Sequence, residues 1–403
     1  MSKKMTIKIK HSFFLLVVFL YITHTEVTAQ PQKVMFHRLT EKKGLTYAPG
    51  QKKPFTGTVF ANYKNKGRKL RGNYKNGLRQ GLWTHWNDEG KKEREESYKL
   101  GKKDGNWTYF DENGIRERTE TYLKGKPSGK LTYFYSNGNR EKEEFYLKGN
   151  REGKWTDWYE NGKKEKEEFY SKDKKNGKWT YYNEKGRRES IVSYKNDLRD
   201  GRSTYWYGSG NRKEREENWR QDRENGLWTW WNARGRKIKE GSYKDGQKHG
   251  IWAIYDSRGR KMEENQWKNG ELSGKSFQWD QRGNKIVLKS FKADEKNGLW
   301  TWWSKSGRKQ KEGNYKIGQK HGTWTFFYPN GKKKRVENYW NDKKHGKLTV
   351  WYETGQKERN ESYRNDKKHG KWIYWYGNGK LEKEEEYKNG VQTDGKHYDY
   401  FGE

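Results

Sequence analysis

The chain has 403 residues, 90 Lys and Arg against 54 Asp and Glu, and a net charge of +36. Only 29 % of it is hydrophobic, a balance that usually means disorder, yet 22 Trp, 29 Tyr and 15 Phe supply large apolar side chains in fixed columns. It has no cysteine, which excludes disulfides, thiolate metal sites, a cysteine nucleophile and a lipidated N-terminal cysteine.

In chain order, Lys3, Lys4, Lys8 and Lys10 precede the apolar run Phe13 to Ile22, and Val27-Thr28-Ala29 places small or branched residues before Gln30. That order reads as a signal peptide over residues 1–29. The apolar run is too short for a hydrocarbon core of ~30 Å. The mature chain is therefore expected to be exported, to a periplasmic, outer-surface or extracellular place in a bacterium, and not to be transmembrane. Residues 30–56 read as an N-terminal cap, with a turn at Tyr47-Ala48-Pro49-Gly50 and entry into the first unit at Pro54-Phe55-Thr56-Gly57. A terminal unit with one neighbour must protect its open strand edge.

Residues 57–403 form the repeat array. Leading glycines recur from Gly57, Gly81 and Gly105 through Gly395, mostly 24 residues apart and twice 25. Counted from each leading Gly, position +2 is usually Trp: Trp83, Trp107, Trp155, Trp179, Trp228, Trp252, Trp300, Trp324 and Trp372. Position +3 is mostly Thr, +5 is aromatic, +9 is Gly (Gly90, Gly114) and +17 is aromatic (Tyr98, Tyr122). Position +20 is Gly or Asp, as in Gly101 and Asp173. Aromatic and β-branched runs suit strands, and the +9 Gly and +20 residue suit turns that need positive φ. The period predicts an all-β fold: an elongated antiparallel meander of about 14 tandem 24-residue β-hairpins, a single-layer twisted ribbon. Aromatic rows are expected on both faces, and the leading Gly is expected to leave room for a neighbouring ring.

The charges also run in rows. Bases stand at +10 and +11 (Lys91, Lys92) and acids at +14 and +15 (Glu95, Glu96). More bases stand at the return corner: Lys102 and Lys103, Lys174 and Lys175, Lys343 and Lys344, Lys367 and Lys368. Stacked in a ribbon, they would give two basic edges flanking an acidic midline. Such an edge could track a polyanion, or its lysines could simply keep an open sheet soluble. His249, His321, His345 and His369 share position +23, but repeats ~10 Å apart cannot share a zinc that needs each nitrogen within ~2.1 Å. They read as turn residues, and the aromatic rows read as sheet core ahead of glycan or base stacking. No catalytic set, nucleotide loop or H-E-x-x-H stands out, so no enzyme, cofactor, metal or small-molecule substrate is expected.

The corner Tyr243-Lys244-Asp245-Gly246-Gln247-Lys248-His249-Gly250 resembles the MORN repeat, and Tyr315 to Gly322 repeats it. Pro54-Phe55-Thr56-Gly57, followed by units such as Trp155 to Lys164, is similar to the bacterial MORN-variant family, some members of which are labelled antitoxins. The resemblance spans about residues 45–401. It implies a binding or scaffolding module, with membrane-lipid association and protein interaction among the family's themes. The expected function is a protein-binding scaffold. The alternatives are electrostatic attachment to an anionic envelope surface (lipid, lipopolysaccharide or another polyanion) and an immunity-like partnership with a toxin. A hairpin ribbon of this repeat number should show a maximum dimension on the order of 130 Å in small-angle scattering. A compact particle would rule the ribbon out.

Overall fold

The computed structural model describes residues 32–400 except Ser209. The expected leader, the first two residues of the cap and the last three of the array lie outside the described residues. The array is one open sheet of 39 strand segments in a hairpin meander, antiparallel throughout except at its first strand. Each repeat contributes a strand such as Gly105–Phe110 and a return strand such as Arg116–Leu123.

Two turns close each unit. In the hairpin turn Gly90 N–H donates to the Asn87 carbonyl at 3.1 Å and Asn87 N–H to the Lys91 carbonyl at 2.9 Å. Gly90 holds φ at 84°, which only a residue without Cβ reaches cheaply. The return corner is a two-residue turn with both central residues at positive φ, as in Leu100 (50°) and Gly101 (75°). Turns of this hand match the strand twist.

Register then sorts the side chains. Within one hairpin Trp107 faces Glu120, Thr108 faces Thr119 and Tyr109 faces Arg118, and across repeats Arg94 faces Tyr109. Period-2 alternation puts +2, +4, +13, +15 and +17 on one face, the Trp face. It puts +3, +5 and +14 on the other, the Thr face. Both faces carry aromatic rows, as the alternation predicts. On the Trp face, Tyr146, Trp155, Tyr170, Trp179 and Tyr194 follow one another with ring centroids 5.2, 5.0, 5.2 and 5.2 Å apart.

Room for a ring is the leading glycine's job at Gly57, Gly153 and Gly177, where the rings of Phe55, Phe145 and Phe169 lie 2.9, 3.7 and 3.8 Å from the Cβ it lacks; in the other repeats its job is different. Pairing passes from Tyr98 with Lys103 to Glu95 with Thr108, so the second strand carries a bulge between the corner and its first Thr. Gly105 sits in that bulge at φ 96°. A Cβ there would meet the Ser97 side chain at 3.2 Å, not a ring. The closest approach of a ring occurs at +15. Where that residue is Gly72, Gly241 or Gly313, a Cβ would lie 2.1 to 2.2 Å from Trp83, Trp252 or Trp324. Those three indoles stand edge-on to the preceding Tyr, at 87°, 86° and 89°. With Glu at +15 the tilt is shallower, as in Tyr170–Trp179 at 62° and Tyr363–Trp372 at 60°.

At the N-terminal end, Lys33–Met35 pairs in parallel with Gly57–Asn62. A 3-10 turn (Phe36–Arg38) and the small hairpin of Thr40–Lys42 and Leu45–Tyr47 follow. Phe55 and Ala48 from this segment are buried with Val59, Leu70, Tyr74 and Trp83 of the first units. This segment covers both the edge and the Trp face of the first hairpin.

Gly313→Ala drives a methyl into the Trp324 ring. It is expected to cost about 1–3 kcal/mol in urea unfolding, the range for overpacking a filled site. An unchanged midpoint would show that the indole has another pose available.

Candidate functional site

The nine +2 tryptophans occupy equivalent sites. Each indole N–H donates to the carbonyl of residue +16 in the preceding strand pair, at 2.9 to 3.1 Å, as Trp107 does to Ser97 and Trp324 to Asn314. That carbonyl also accepts from the bulge, Asp104 N–H to Ser97 at 3.0 Å.

The eight candidate lysines of the return corner divide by alternation. Lys103 Nζ lies 3.9 Å from the Trp107 ring and 4.5 Å from the Tyr122 ring. Lys175 lies over Trp179 and Tyr194 at 4.5 and 5.1 Å, and Lys368 over Trp372 and Tyr387 at 4.1 and 4.5 Å. Lys344 lies 5.0 Å from Tyr363. These four are half-buried roofs over the aromatic row, each cation–π contact contributing ~0.5–1 kcal/mol or more when desolvated. Arg79 and Arg151 take the same place in other repeats. Lys102, Lys174, Lys343 and Lys367 are exposed. Only half of each expected lysine pair is therefore available to a ligand.

The expected acidic midline is instead two rows lying back to back. The +15 glutamates (Glu96, Glu120, Glu144, Glu168, Glu217, Glu337, Glu361) are buried on the Trp face. There Glu96 takes Arg94 Nε at 3.1 Å and the Tyr98 hydroxyl at 3.2 Å. The +14 glutamates lie on the Thr face and take the +11 lysine, as Lys92 to Glu95 and Lys164 to Glu167 at 2.6 Å. Alternation separates neighbouring acids, and each meets its own base, so no acidic stripe forms. Burial would raise the Glu167 carboxyl, but hydrogen bonds from Lys154, Lys164 and Tyr182 outweigh it and hold it at about 2.

Two rows escape a reading of the columns alone. Position +4 is often aromatic and lies directly across from the +13 base, giving Arg118 over Tyr109 at 3.8 Å and Arg215 over Tyr205 at 3.7 Å. Position +6 is Tyr in half of the repeats, and its hydroxyl donates to the +5 carbonyl of the next one: Tyr63 to Trp86, Tyr135 to Trp158, Tyr328 to Trp351. The recurrent Tyr at +6 was the available signal. Among the described residues no His, Asp and Glu cluster forms a metal-binding set. His321 instead packs its ring on Trp340, 4.5 Å between centroids.

With the repeat geometry in hand, the comparisons can be placed on it. The family described as the MORN repeat variant matches at residues 79–100, 103–124, 151–172, 320–341 and 368–389. The chain carries MORN-variant repeats. Each matched unit begins on the base that roofs the rings (Arg79, Lys103, Arg151, Lys320, Lys368) and ends in the next return corner. No curated protein matches the chain. Among solved structures, TcdB2-TccC3 is 12 % identical over 85 % of this chain and 22 % of that one, with a TM-score of 0.16. A Tc holotoxin pore of Photorhabdus luminescens is 13 % identical over 85 % and 21 %, also at 0.16. The chain spans about a fifth of the length of those proteins, and likeness at this level assigns no function to MORN-variant repeats.

The ion pairs set an acid limit. Glu167 falls from an ordinary 4.5 to about 2, and Glu96, Glu240 and Glu385 are lowered in the same direction. A depressed carboxyl stabilises the fold above its unfolded value, and that stability is lost as pH falls through the folded one. The thermal midpoint should hold from neutral pH down to about 5 and fall steadily between about 4.5 and 2, measured by circular dichroism. At the alkaline end, burial pushes Tyr170, Tyr181 and Tyr182 up to about 12 from 10.0, so stability should be lost between those values. A midpoint insensitive to acid would show that the pairs contribute nothing.

Proposed function

We propose that this chain is an exported, non-enzymatic scaffold that binds a protein partner along its return-corner edge. The observation that carries the reading is the pair Ile317 and Trp340, 64 % and 55 % exposed on adjacent corners. Asp342 N–H, at the second corner, donates to the Lys320 carbonyl of the first at 3.0 Å, so the two turns sit side by side. Ile317 holds φ at 47°, a conformation that a β-branched residue enters only at a cost. Other repeats place Asn76, Asn341, Asn365 and Asn389 there, which the turn favours. Trp340 stands where Lys316 and Arg364 stand in neighbouring units. Trp340 packs one side of its ring on His321 yet stays 55 % exposed, and Trp is among the residue types most enriched in binding hot spots. The leader-like residues 1–29 support export. A second reading, electrostatic attachment to an anionic surface, is favoured by the exposed Lys102, Lys174, Lys343 and Lys367.

Affinity capture from an envelope extract compares the native chain with the Ile317→Asn, Trp340→Lys double variant. The relieved turn returns about 1 kcal/mol, which offsets the loss of the His321 ring contact, so the variant should stay folded and should lose the partner. Capture that survives both substitutions but disappears above a few hundred millimolar salt would replace the scaffold reading with the electrostatic one.

A further inference from the structure

The first hairpin breaks the charge rule of the array. In eight repeats the +14 position is a glutamate: Glu95, Glu143, Glu167, Glu216, Glu240, Glu264, Glu312 and Glu384. On the Thr face this carboxylate, except Glu384, receives the base three residues earlier, as Lys92 to Glu95, Lys261 to Glu264 and Lys309 to Glu312 at 2.6, 2.6 and 2.8 Å. In the first hairpin the base is present as Arg68, but the +14 residue is Arg71, facing Phe60 across the strands. The N-terminal strand adds Lys33, in register with Thr58 on the same face. Lys33, Arg68 and Arg71 line one cleft of about 240 Å3 with Thr58, Phe60, Asn62 and Leu70. No carboxylate lines it, and among the described residues none of the three bases is in an ion pair.

We propose that this cleft takes a carboxylate side chain from an acidic peptide segment of a protein partner, in the place that the array elsewhere fills with its own glutamate. Two guanidinium groups present the forked donors that pair with a planar carboxylate. Phe60 forms one apolar wall beside the exposed bases. Lys33 reaches the cleft only because its strand is laid in parallel on the first hairpin, so the N-terminal segment completes the site as well as covering the edge. The inference rests on the scaffold reading but uses the first hairpin rather than the corners of Ile317 and Trp340. It gives the partner a second, acidic contact.

The test is fluorescence anisotropy of labelled tetraglutamate with the full chain at about 150 mM salt, where contacts beyond ~8 Å are screened. Binding should saturate. Arg71→Glu restores the residue most repeats carry at this position and should weaken it about tenfold or more, with a thermal midpoint that is unchanged or higher because the new carboxylate meets Arg68. Lys367→Glu makes the same charge change at an exposed corner and should weaken binding less than about twofold. Equal losses in the two variants, or no saturation in the native chain, would overturn the site. Displacement by inorganic phosphate at a lower concentration than by free tetraglutamate would overturn its assignment to carboxylates. Trp340→Lys should leave tetraglutamate binding intact, which separates failure of this site from failure of the corner surface.

Discussion

The bond from each +2 indole to the carbonyl behind it is the contact on which the array depends. The return corner and the hairpin cannot both keep ideal register, so the chain inserts a bulge at the leading Gly. A bulge leaves ladder groups without their usual partners. The Trp side chain braces this from the side, adding its N–H as a second donor to the carbonyl that already takes the bulge N–H. The same ring then packs between the +17 aromatics of its own repeat and the preceding one, as Trp155 does between Tyr146 and Tyr170. One residue therefore joins neighbouring repeats by a hydrogen bond and by packing. A thin sheet needs that coupling, because there is no second layer to bury either face.

The large positive charge follows from the same economy. A single-layer sheet must cover its aromatic rows with something, and the long stems of Lys and Arg do so while their heads stay near water. Lys103, Lys175 and Lys368 lie over rings, and Arg94, Arg118 and Lys142 meet buried glutamates. Much of the excess charge is thus part of the covering of the sheet. What remains for a ligand is the outer lysine of each corner and the few bases without an acid.

The fold could be read from the period, because strand, turn Gly, strand and corner each need a residue type that recurs. The roofing role of the +22 base was also within reach of the sequence. The corner is a two-residue turn, so +22 lies directly across from +17 and must share its face, as Lys103 does opposite Tyr98. Reading Lys102 and Lys103 as one basic unit ignored that alternation. The pairing of +14 and +15 acids into one midline failed for the same reason. The bulge was harder to see, because the leading Gly carries no sign that distinguishes positive φ from a close contact. The ring pose was hidden for a different reason. Whether a Trp stands at 86° or 62° to its neighbour follows the residue eleven positions earlier, Gly241 for Trp252 and Glu168 for Trp179.

In such an array, departures from the repeat are the places to look for function, but they are of two kinds. Some are exchanges of volume. Ser203 and Ser276 replace the +2 Trp, and beside each a Trp takes the +17 place, Trp219 and Trp267. The loss at one column is offset at the next, and no external partner is needed to explain them. Arg71 and Ile317 have no such counterpart, and Trp340 stays 55 % exposed although it packs on His321. Arg71 adds like charge where eight repeats place a glutamate, Ile317 occupies a conformation that costs energy, and Trp340 exposes an indole where most repeats place a base and two place an exposed leucine, Leu123 and Leu147. An uncompensated departure lowers the stability of the free chain, which a fold above its stability threshold tolerates. Leu100 and Leu123 repeat the exposed apolar corner near the other end of the array, and it is on such corners that the proposed partner contact is placed.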